Sequence, residues 1–356
     1  MNRVPFNTAI LAAIATAALL AGDIAPTQAG LAYKQPQMVS AGRQVGLVFG
    51  SENTIYFSIS TDDGRTFGAP LPVATAPTLS LGNHRGPRVA FTGGAIIITA
   101  GTSSPKGEYG PNTLHSWRST DGGKTWLPGP AISAPESAGM GFHALASDGK
   151  QGLWSVWLGP EEGKLKLFGA HSVDAGVTWS KPRIIYESPD GGVCECCHPS
   201  VTIARDGNIL VMFRNSLKGS RDLYLATSKD AGQSFAVTKL GQGTWPINAC
   251  PMDGGGLAEF NGRAVTVWRR QSDLFIARPD GKPEESLGAG KNPAVAFNEK
   301  GVYAVWSSAQ GLMAKTPSRA EPYVLAKSGA FPSITAQGAA VVAWEDNGVI
   351  HTHLLQ

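Results

Sequence analysis

One eight-residue pattern occurs four times in this chain of 356 residues, and it constrains the fold more than any other feature. The pattern is S-x-D-x-G-x-[TS]-[WF], and it covers residues 60–67, 119–126, 172–179 and 228–235. Its serines are 59, 53 and 56 residues apart. Self-similarity at a spacing of about 50 residues is typical of proteins built from repeated structural units, such as propellers and solenoids.

Each copy contains the residues of a tight turn. The side chain of Asp62 can accept hydrogen bonds from nearby backbone N–H groups, and Gly64 can adopt a conformation that other residues avoid. Strand-like residues precede the first copy, from Thr54 to Ile59. We therefore predict that every copy joins two strands of a β-hairpin.

The four copies resemble the Asp box, also called the BNR repeat, of sialidases and related β-propellers. The resemblance implies an all-β propeller with the boxes on the outer hairpins of its blades. The composition agrees, since 44 glycines are spread through strand-like runs separated by turn residues. The resemblance implies little about activity, because Asp boxes also occur in propellers that hydrolyse nothing.

A second repeat predicts the number of blades. Seven times, a short strand leads through a turn to a second strand, and these second strands start near residues 45, 95, 153, 209, 264, 302 and 340. We predict seven blades of four strands, with six blades, as in sialidases proper, as the alternative. The seventh unit ends one strand short, and residues 31–34 are expected to supply the missing strand and close the ring.

The N-terminus predicts export. Arg3 precedes an apolar run from residue 9 to residue 22, and Thr27-Gln28-Ala29 follows it. This pattern predicts a signal peptide over residues 1–29, with a retained membrane anchor as the alternative. The mature chain, residues 30–356, is then a single propeller domain in the periplasm or outside the cell, with no membrane span. A net charge of +3 without a basic run excludes nucleic acid as an expected partner.

All four cysteines lie in two short segments, just before the innermost strands of units four and five. Equivalent positions on neighbouring blades are neighbours in space, so we expect these segments to meet at one mouth of the central channel. The candidates for a metal site or for disulfides are Cys194, Cys196, Cys197, His198, Cys250 and Met252.

Three kinds of chemistry are open to these cysteines. Two disulfides, for instance Cys197 to Cys250 and Cys194 to Cys196, would suit an exported chain. Thiolates with imidazole and thioether groups would suit copper as Cu(I), and thiolates with histidine would suit zinc. One disulfide plus two reactive thiols is the third alternative.

The segment 194–258 also resembles a subgroup of bacterial sialidase-like BNR proteins. Members carry a C-x-C-C run, an Arg-Asp pair before the next Asp box and a later N-A-C-P segment; here these are residues 194–197, 221–222 and 248–251. This resemblance implies a defined site and no particular reaction.

Several further side chains are expected near the same mouth. Arginines bind carboxylates well through a planar fork of N–H donors, and histidine can act as acid, base or ligand. The candidate ligand-binding residues are Arg85, Arg88, His143, Arg214, Arg221 and Asp253. Trp245 is expected to form an exposed platform beside them.

The leading hypothesis is an exported binding protein whose ligand is a glycan, an anionic small molecule or a protein partner. An exo-α-sialidase or another glycoside hydrolase is the second hypothesis. Against it, the region 32–36 has no Arg-Ile-Pro motif, and no motif places a tyrosine nucleophile. Periplasmic binding of copper or zinc through the Cys/His/Met group is the third.

Overall fold

The structure, a computed structural model, describes residues 22–103, 112–278 and 283–356. Over these residues the chain forms seven antiparallel sheets, each built from one consecutive stretch of sequence. The prediction of an all-β propeller with seven blades is confirmed, and the six-bladed alternative is wrong. Most of the predicted signal peptide, residues 1–21, lies outside the described residues.

Blades one to four each contain four strands, in the order in which the chain forms them. Blade one comprises β1 (Lys34–Ala41), β2 (Gln44–Ser51), β3 (Thr54–Ser60) and β4 (Leu71–Thr75). Blade two comprises β5 (Arg88–Phe91), β6 (Ile96–Ser103), β7 (Asn112–Ser119) and β8 (Leu127–Pro128). Blade three comprises β9 (His143–Ser147), β10 (Leu153–Glu161), β11 (Lys164–Ser172) and β12 (Arg183–Tyr186). Blade four comprises β13 (Ser200–Ile203), β14 (Ile209–Arg214), β15 (Leu223–Ser228) and β16 (Ala236–Lys239).

Blades five and six repeat this arrangement, and blade seven has three strands. Blade five comprises β17 (Gly256–Phe260), β18 (Arg263–Arg270), β19 (Asp273–Ala277) and β20 (Glu285–Ala289). Blade six comprises β21 (Lys291–Asn298), β22 (Gly301–Ser308), β23 (Gly311–Lys315) and β24 (Tyr323–Ala326). Blade seven comprises β25 (Ala330–Thr335), β26 (Ala340–Asp346) and β27 (Val349–Leu355). No helix among the described residues is long and apolar enough to cross a membrane.

The ring closes between blades seven and one. The first strands of successive blades contact one another around the channel, and β1 completes the circle by contacting β25. The backbone N–H of Met38 donates to Ser333 Oγ at 3.0 Å across this junction. The expected closing strand at residues 31–34 differs in position. Ile24 pairs with Ile350 of β27 and Tyr33 N–H donates to Gly348 O, while Lys34 already belongs to β1.

Each Asp box forms the predicted hairpin turn, between the third and fourth strands of its blade. In the first box, Ser60 Oγ donates to Asp62 Oδ1 at 2.7 Å, and Thr66 donates to Asp62 from its backbone N–H at 2.9 Å and from Oγ1 at 2.6 Å. These hydrogen bonds, led by that from the Thr66 hydroxyl, hold the pKa of Asp62 well below its usual range. The sequences of blades six and seven contain no Asp box, and the corresponding turn of blade five falls at residues 279–282, outside the described residues.

The glycine of every box packs against the preceding blade. A Cβ atom placed on Gly232 of blade four would lie 2.1 Å from the indole of Trp154 in blade three, and one on Gly123 of blade two would lie 2.5 Å from the ring of Phe57 in blade one. Gly64 meets Val341 in the same way across the ring closure. The boxes therefore contribute to contact between blades as well as to the turn.

The antiparallel order also separates two faces of the propeller. Hairpins between third and fourth strands, which carry the boxes, lie on one face. Loops between second and third strands, together with the connections between blades, lie on the opposite face. The cysteine segments lie in the connections that precede β13 and β17, so they are on the face opposite the boxes.

We expect Gly232→Ala to lower the free energy of unfolding by about 1–3 kcal/mol more than Gly207→Ala, because the added methyl group must displace Trp154. Gly207 is a matched control: its φ is +86° against +84° at Gly232, and nothing lies within 4 Å of its missing Cβ. Urea unfolding of both variants measures the difference. Equal losses would show that the box glycine serves the turn alone.

Candidate functional site

Three of the four cysteines converge in the connection between blades three and four. The sulfur of Cys194 lies 3.7 Å from that of Cys196 and 3.2 Å from that of Cys197, and all three lie within 4.8 Å of one another. Each side chain is at most 2% exposed. We call these three residues the thiol cluster. All four cysteines are free thiols, and neither expected disulfide is present.

Backbone pairing with blade four holds the first of these cysteines in place. Val193 pairs with Asn215, and the N–H of Cys194 donates to Arg214 O at 3.0 Å, at the end of β14. With its backbone paired in this way, Cys194 has a fully buried side chain. Cys196 and Cys197 then follow within the same tight segment, so all three sulfurs face inward.

Two methionines pack against the thiol cluster from the neighbouring connections. Met252, an expected member of the site, comes from the segment before blade five, and Met140 comes from the segment before blade three. Sequence reasoning missed Met140. The repeat could have identified this residue, because Met140 precedes β9 in blade three as the cysteines precede β13 in blade four.

Of the three thiols in the cluster, that of Cys194 has a lowered pKa. Hydrogen bonds with Cys196 and Cys197 lower the pKa of Cys194, and the positive charges of Arg221 and Arg214 add to the effect. Arg221 donates directly to the Cys194 sulfur at 3.3 Å. The pKa values of Cys196 and Cys197 are raised, that of Cys196 chiefly by its hydrogen bond with Cys194 and that of Cys197 chiefly by burial.

Two expected members of the site lie outside the thiol cluster. Cys250 is exposed. His198 lies at the channel, where its ring stacks on that of His84 with centroids 4.1 Å apart and its Nε2 lies 3.1 Å from Gly255 O. Desolvation lowers the pKa of both histidines. The structure therefore brings together Cys194, Cys196, Cys197 and Met252, and it leaves His198 apart.

The guanidinium of Arg88 links backbone carbonyl groups at the channel mouth. It is 7% exposed and donates to the carbonyl oxygens of His84, Gly86, Pro87 and His143. Burial lowers its pKa to about 10. Arg85, nearby, is 1% exposed and donates through Nε to Gly82 O at 3.0 Å.

Arg214 has the same role between blades four and five. Its guanidinium donates to the carbonyl oxygens of Asp253 at 3.0 Å, Arg221 at 2.7 Å and Arg269 at 2.9 Å. Its Cζ lies 5.3 Å from the ring centroid of Trp245. Trp245 is 6% exposed, so the expectation of an exposed platform is wrong.

His143 and Asp253 are also buried and hydrogen-bonded. Burial lowers the pKa of His143 to about 3, and its ring nitrogens lie near Gly141 O and the Thr99 hydroxyl. The carboxylate of Asp253 accepts the backbone N–H of Gly255 and, at 2.9 Å, that of Asn292. Both side chains hold connections in place beside the channel.

An open cavity of about 720 Å³ lies beside the thiol cluster, between blades three and four. Of the six predicted ligand-binding residues, Arg221 is the one that lines it, and its guanidinium also contacts the cluster. The other polar side chains of the wall are exposed or partly exposed, and Met140, Pro160, Leu165 and Val193 are its apolar members. The lining side chains include Met140, Lys164, Leu165, Asp190, Val193, Glu195, Ser216, Arg221 and Cys250.

The architecture and the boxes agree with the family comparison. Residues 49–249, more than half of the chain, match the family model described as a BNR repeat-like domain. The chain belongs to this family. No curated protein matches it.

Solved structures of similar shape place this BNR-repeat chain among known propellers. The ulvan lyase of polysaccharide lyase family PL25 aligns with a TM-score of 0.57 and 12% identity, over 91% of this chain and 94% of the lyase. The α-L-arabinanase of Penicillium chrysogenum aligns with a TM-score of 0.56 and 12% identity, over 94% and 97%. A protein of unknown function from Dyadobacter fermentans aligns with a TM-score of 0.53 and 16% identity, over 94% and 98%. At these identities the likeness concerns the fold.

We expect Arg214→Met to lower the free energy of unfolding by about 3 kcal/mol or more, because three buried carbonyl oxygens would lose their donor. Arg205→Met is the matched control, since Arg205 is exposed in the turn between β13 and β14, and we expect it to change stability by less than about 0.5 kcal/mol. Chemical unfolding of both variants gives the comparison. An Arg214 variant as stable as the control would contradict a structural role for this arginine.

Proposed function

We propose that this BNR-repeat propeller binds a carbohydrate in the open cavity between blades three and four. The observation that carries the proposal is the mixed lining of that cavity. Lys164 and Arg221 supply donors, Asp190 and Glu195 supply acceptors, and Leu165 supplies apolar surface. Sugar hydroxyl groups both donate and accept hydrogen bonds, and sugar rings have an apolar face, so a wall of this kind suits them.

The charges of the wall favour a carbohydrate over a strongly anionic ligand. Its two cationic side chains are matched by two carboxylates, and the guanidinium of Arg221 already donates to the sulfur of Cys194. The cavity thus has no surplus of positive charge with which to attract an anion. Arg88 and Arg214, which an anionic ligand would need, donate to backbone carbonyls inside the protein.

Known propellers of similar shape support this ligand class. The Penicillium arabinanase structure contains arabinobiose, and the ulvan lyase structure contains a fragment with alternating uronic acid and sulfated rhamnose units. Both structures align with nearly the whole of this chain. A framework of this shape is able to present a carbohydrate site.

We propose binding without hydrolysis, in place of the exo-α-sialidase alternative. Among the described residues that line the cavity there is no tyrosine to act as nucleophile. Three of the four arginines expected to bind a carboxylate, Arg85, Arg88 and Arg214, are buried, and Arg88 and Arg214 donate to carbonyl oxygens. A sialidase requires both features at one place.

Export through a leader over residues 1–29, to the periplasm or beyond the cell, remains part of the proposal. The end of this leader has contacts of its own, since Ile24 pairs with Ile350 and Asp23 lies 2.6 Å from His351. Cleavage after Ala29 would remove them. The mass of the N-terminal peptide of exported protein reports where cleavage occurs.

Calorimetric titration of the full chain with arabino-oligosaccharides and with uronic-acid oligosaccharides tests the proposal. We expect one of these probes to bind, and Lys164→Ala to weaken its binding about fivefold or more, since an exposed hydrogen bond contributes about 1 kcal/mol. Lys150→Ala, an equal change in the exposed lining of the opposite channel mouth, should leave the Kd unchanged.

Two outcomes would contradict the proposal. One is a folded protein that binds neither class of oligosaccharide. The other is an equal effect of both lysine variants, which would place the ligand elsewhere. If the same preparation hydrolysed a fluorogenic α-sialoside, the protein would be a sialidase and the proposal of binding without hydrolysis would be wrong.

A further inference from the structure

The sulfur positions of the thiol cluster fit a single metal ion. Thiolate sulfurs bind such ions at about 2.3 Å, so two sulfurs around one ion lie about 3.8 Å apart in a tetrahedral site and about 4.0 Å apart in a trigonal one. The separations from Cys194 are 3.7 Å to Cys196 and 3.2 Å to Cys197. All three sulfurs are already within 4.8 Å of one another, so small side-chain rotations complete the site.

The donors of this site are sulfur atoms alone. Within the described residues, the group of potential ligand atoms at this spot consists of the three thiols, with no histidine nitrogen or carboxylate oxygen among them. The surrounding side chains are the thioethers of Met140 and Met252. His198, the nearest histidine in sequence, is bonded to Gly255 O and stacked on His84.

This donor set discriminates between metals. Zinc in structural sites takes four ligands, usually four thiolates or thiolates completed by histidine, and here the fourth is absent from the group. Thiolate and thioether donors are soft and suit Cu(I), while magnesium, calcium and manganese prefer oxygen. Burial of all three cysteines also keeps water, an oxygen donor, away from the ion.

We propose that the thiol cluster is a Cu(I) site, in which Cys194, Cys196 and Cys197 bind one ion as thiolates. The ion displaces the protons that the three thiols carry, these protons pass to solvent, and no electron is transferred. Met140 and Met252 enclose the ion with apolar, sulfur-bearing side chains.

The charge of this site is balanced by its surroundings. One Cu(I) ion and three thiolates carry two net negative charges, and a buried charge requires a partner. Arg221 donates to the Cys194 sulfur at 3.3 Å, and the guanidinium of Arg214 is held nearby by three backbone carbonyls. The site therefore contains the cations that a copper–thiolate centre needs, and it does not depend on the carbohydrate proposal.

Competition with a chromophoric chelator tests the proposal. The reduced, metal-free full chain is mixed without oxygen with Cu(I) supplied as its bis-bicinchoninate complex. We expect one Cu(I) per chain to leave the chelator, and Cys197→Ser to weaken its retention by about 100-fold or more, since even outer-shell changes cost about 10–100-fold. Cys250→Ser removes a thiol outside the cluster and should leave copper affinity unchanged.

X-ray absorption of the copper-loaded wild-type chain keeps the test decisive if a cysteine variant fails to fold. We expect sulfur neighbours alone, three of them, at about 2.3 Å. Retention of copper that depends equally on Cys197 and Cys250, oxygen or nitrogen neighbours at the ion, or displacement of Cu(I) by equimolar Zn²⁺ would overturn the assignment. So would a folded wild-type chain that withdraws no copper.

Discussion

Contact between successive blades is the constraint on which the rest of this structure depends. A single four-stranded sheet exposes two faces, and it becomes stable only when neighbouring sheets cover both. Here the inner strands contact one another around the whole ring, and box glycines such as Gly232 allow the close approach of the preceding blade. Because every blade is held in the same relation to the next, equivalent connections come to lie side by side on one face.

That geometry explains why distant parts of the sequence form one site. Met140, Cys194 and Met252 are far apart along the chain, yet each stands in the connection before the inner strand of its blade. No local motif is needed to bring them together. The ring places the connections before blades three, four and five next to one another. Each of these three connections contains a residue with a soft sulfur donor.

The mouth of the channel is held by buried polar side chains. A guanidinium removed from water must find acceptors, and Arg88 and Arg214 find them in backbone carbonyls of adjacent connections. Asp253 performs the complementary task by accepting backbone N–H groups. These side chains link the backbones of the connections around the thiol cluster and cavity.

Sequence periodicity was sufficient to predict the seven blades, the boxes and the meeting of the cysteine segments, because all three follow from register. Periodicity could not predict which of these side chains are buried from solvent. Register assigns Arg214 and Trp245 to the correct face, but whether they meet solvent depends on how the loops fold over them, and both are buried. The shape of the cavity likewise depends on the conformation of the loops. The ring of His198 lies at the channel, where it stacks on the ring of His84.

The central claim is that the connection before blade four holds three cysteines as one metal-binding centre, and diffraction at the copper absorption edge from crystals of the Cu(I)-loaded protein tests it most directly. The account predicts one anomalous peak about 2.3 Å from the sulfurs of Cys194, Cys196 and Cys197. A peak elsewhere, or no copper peak at these three sulfurs, would contradict it.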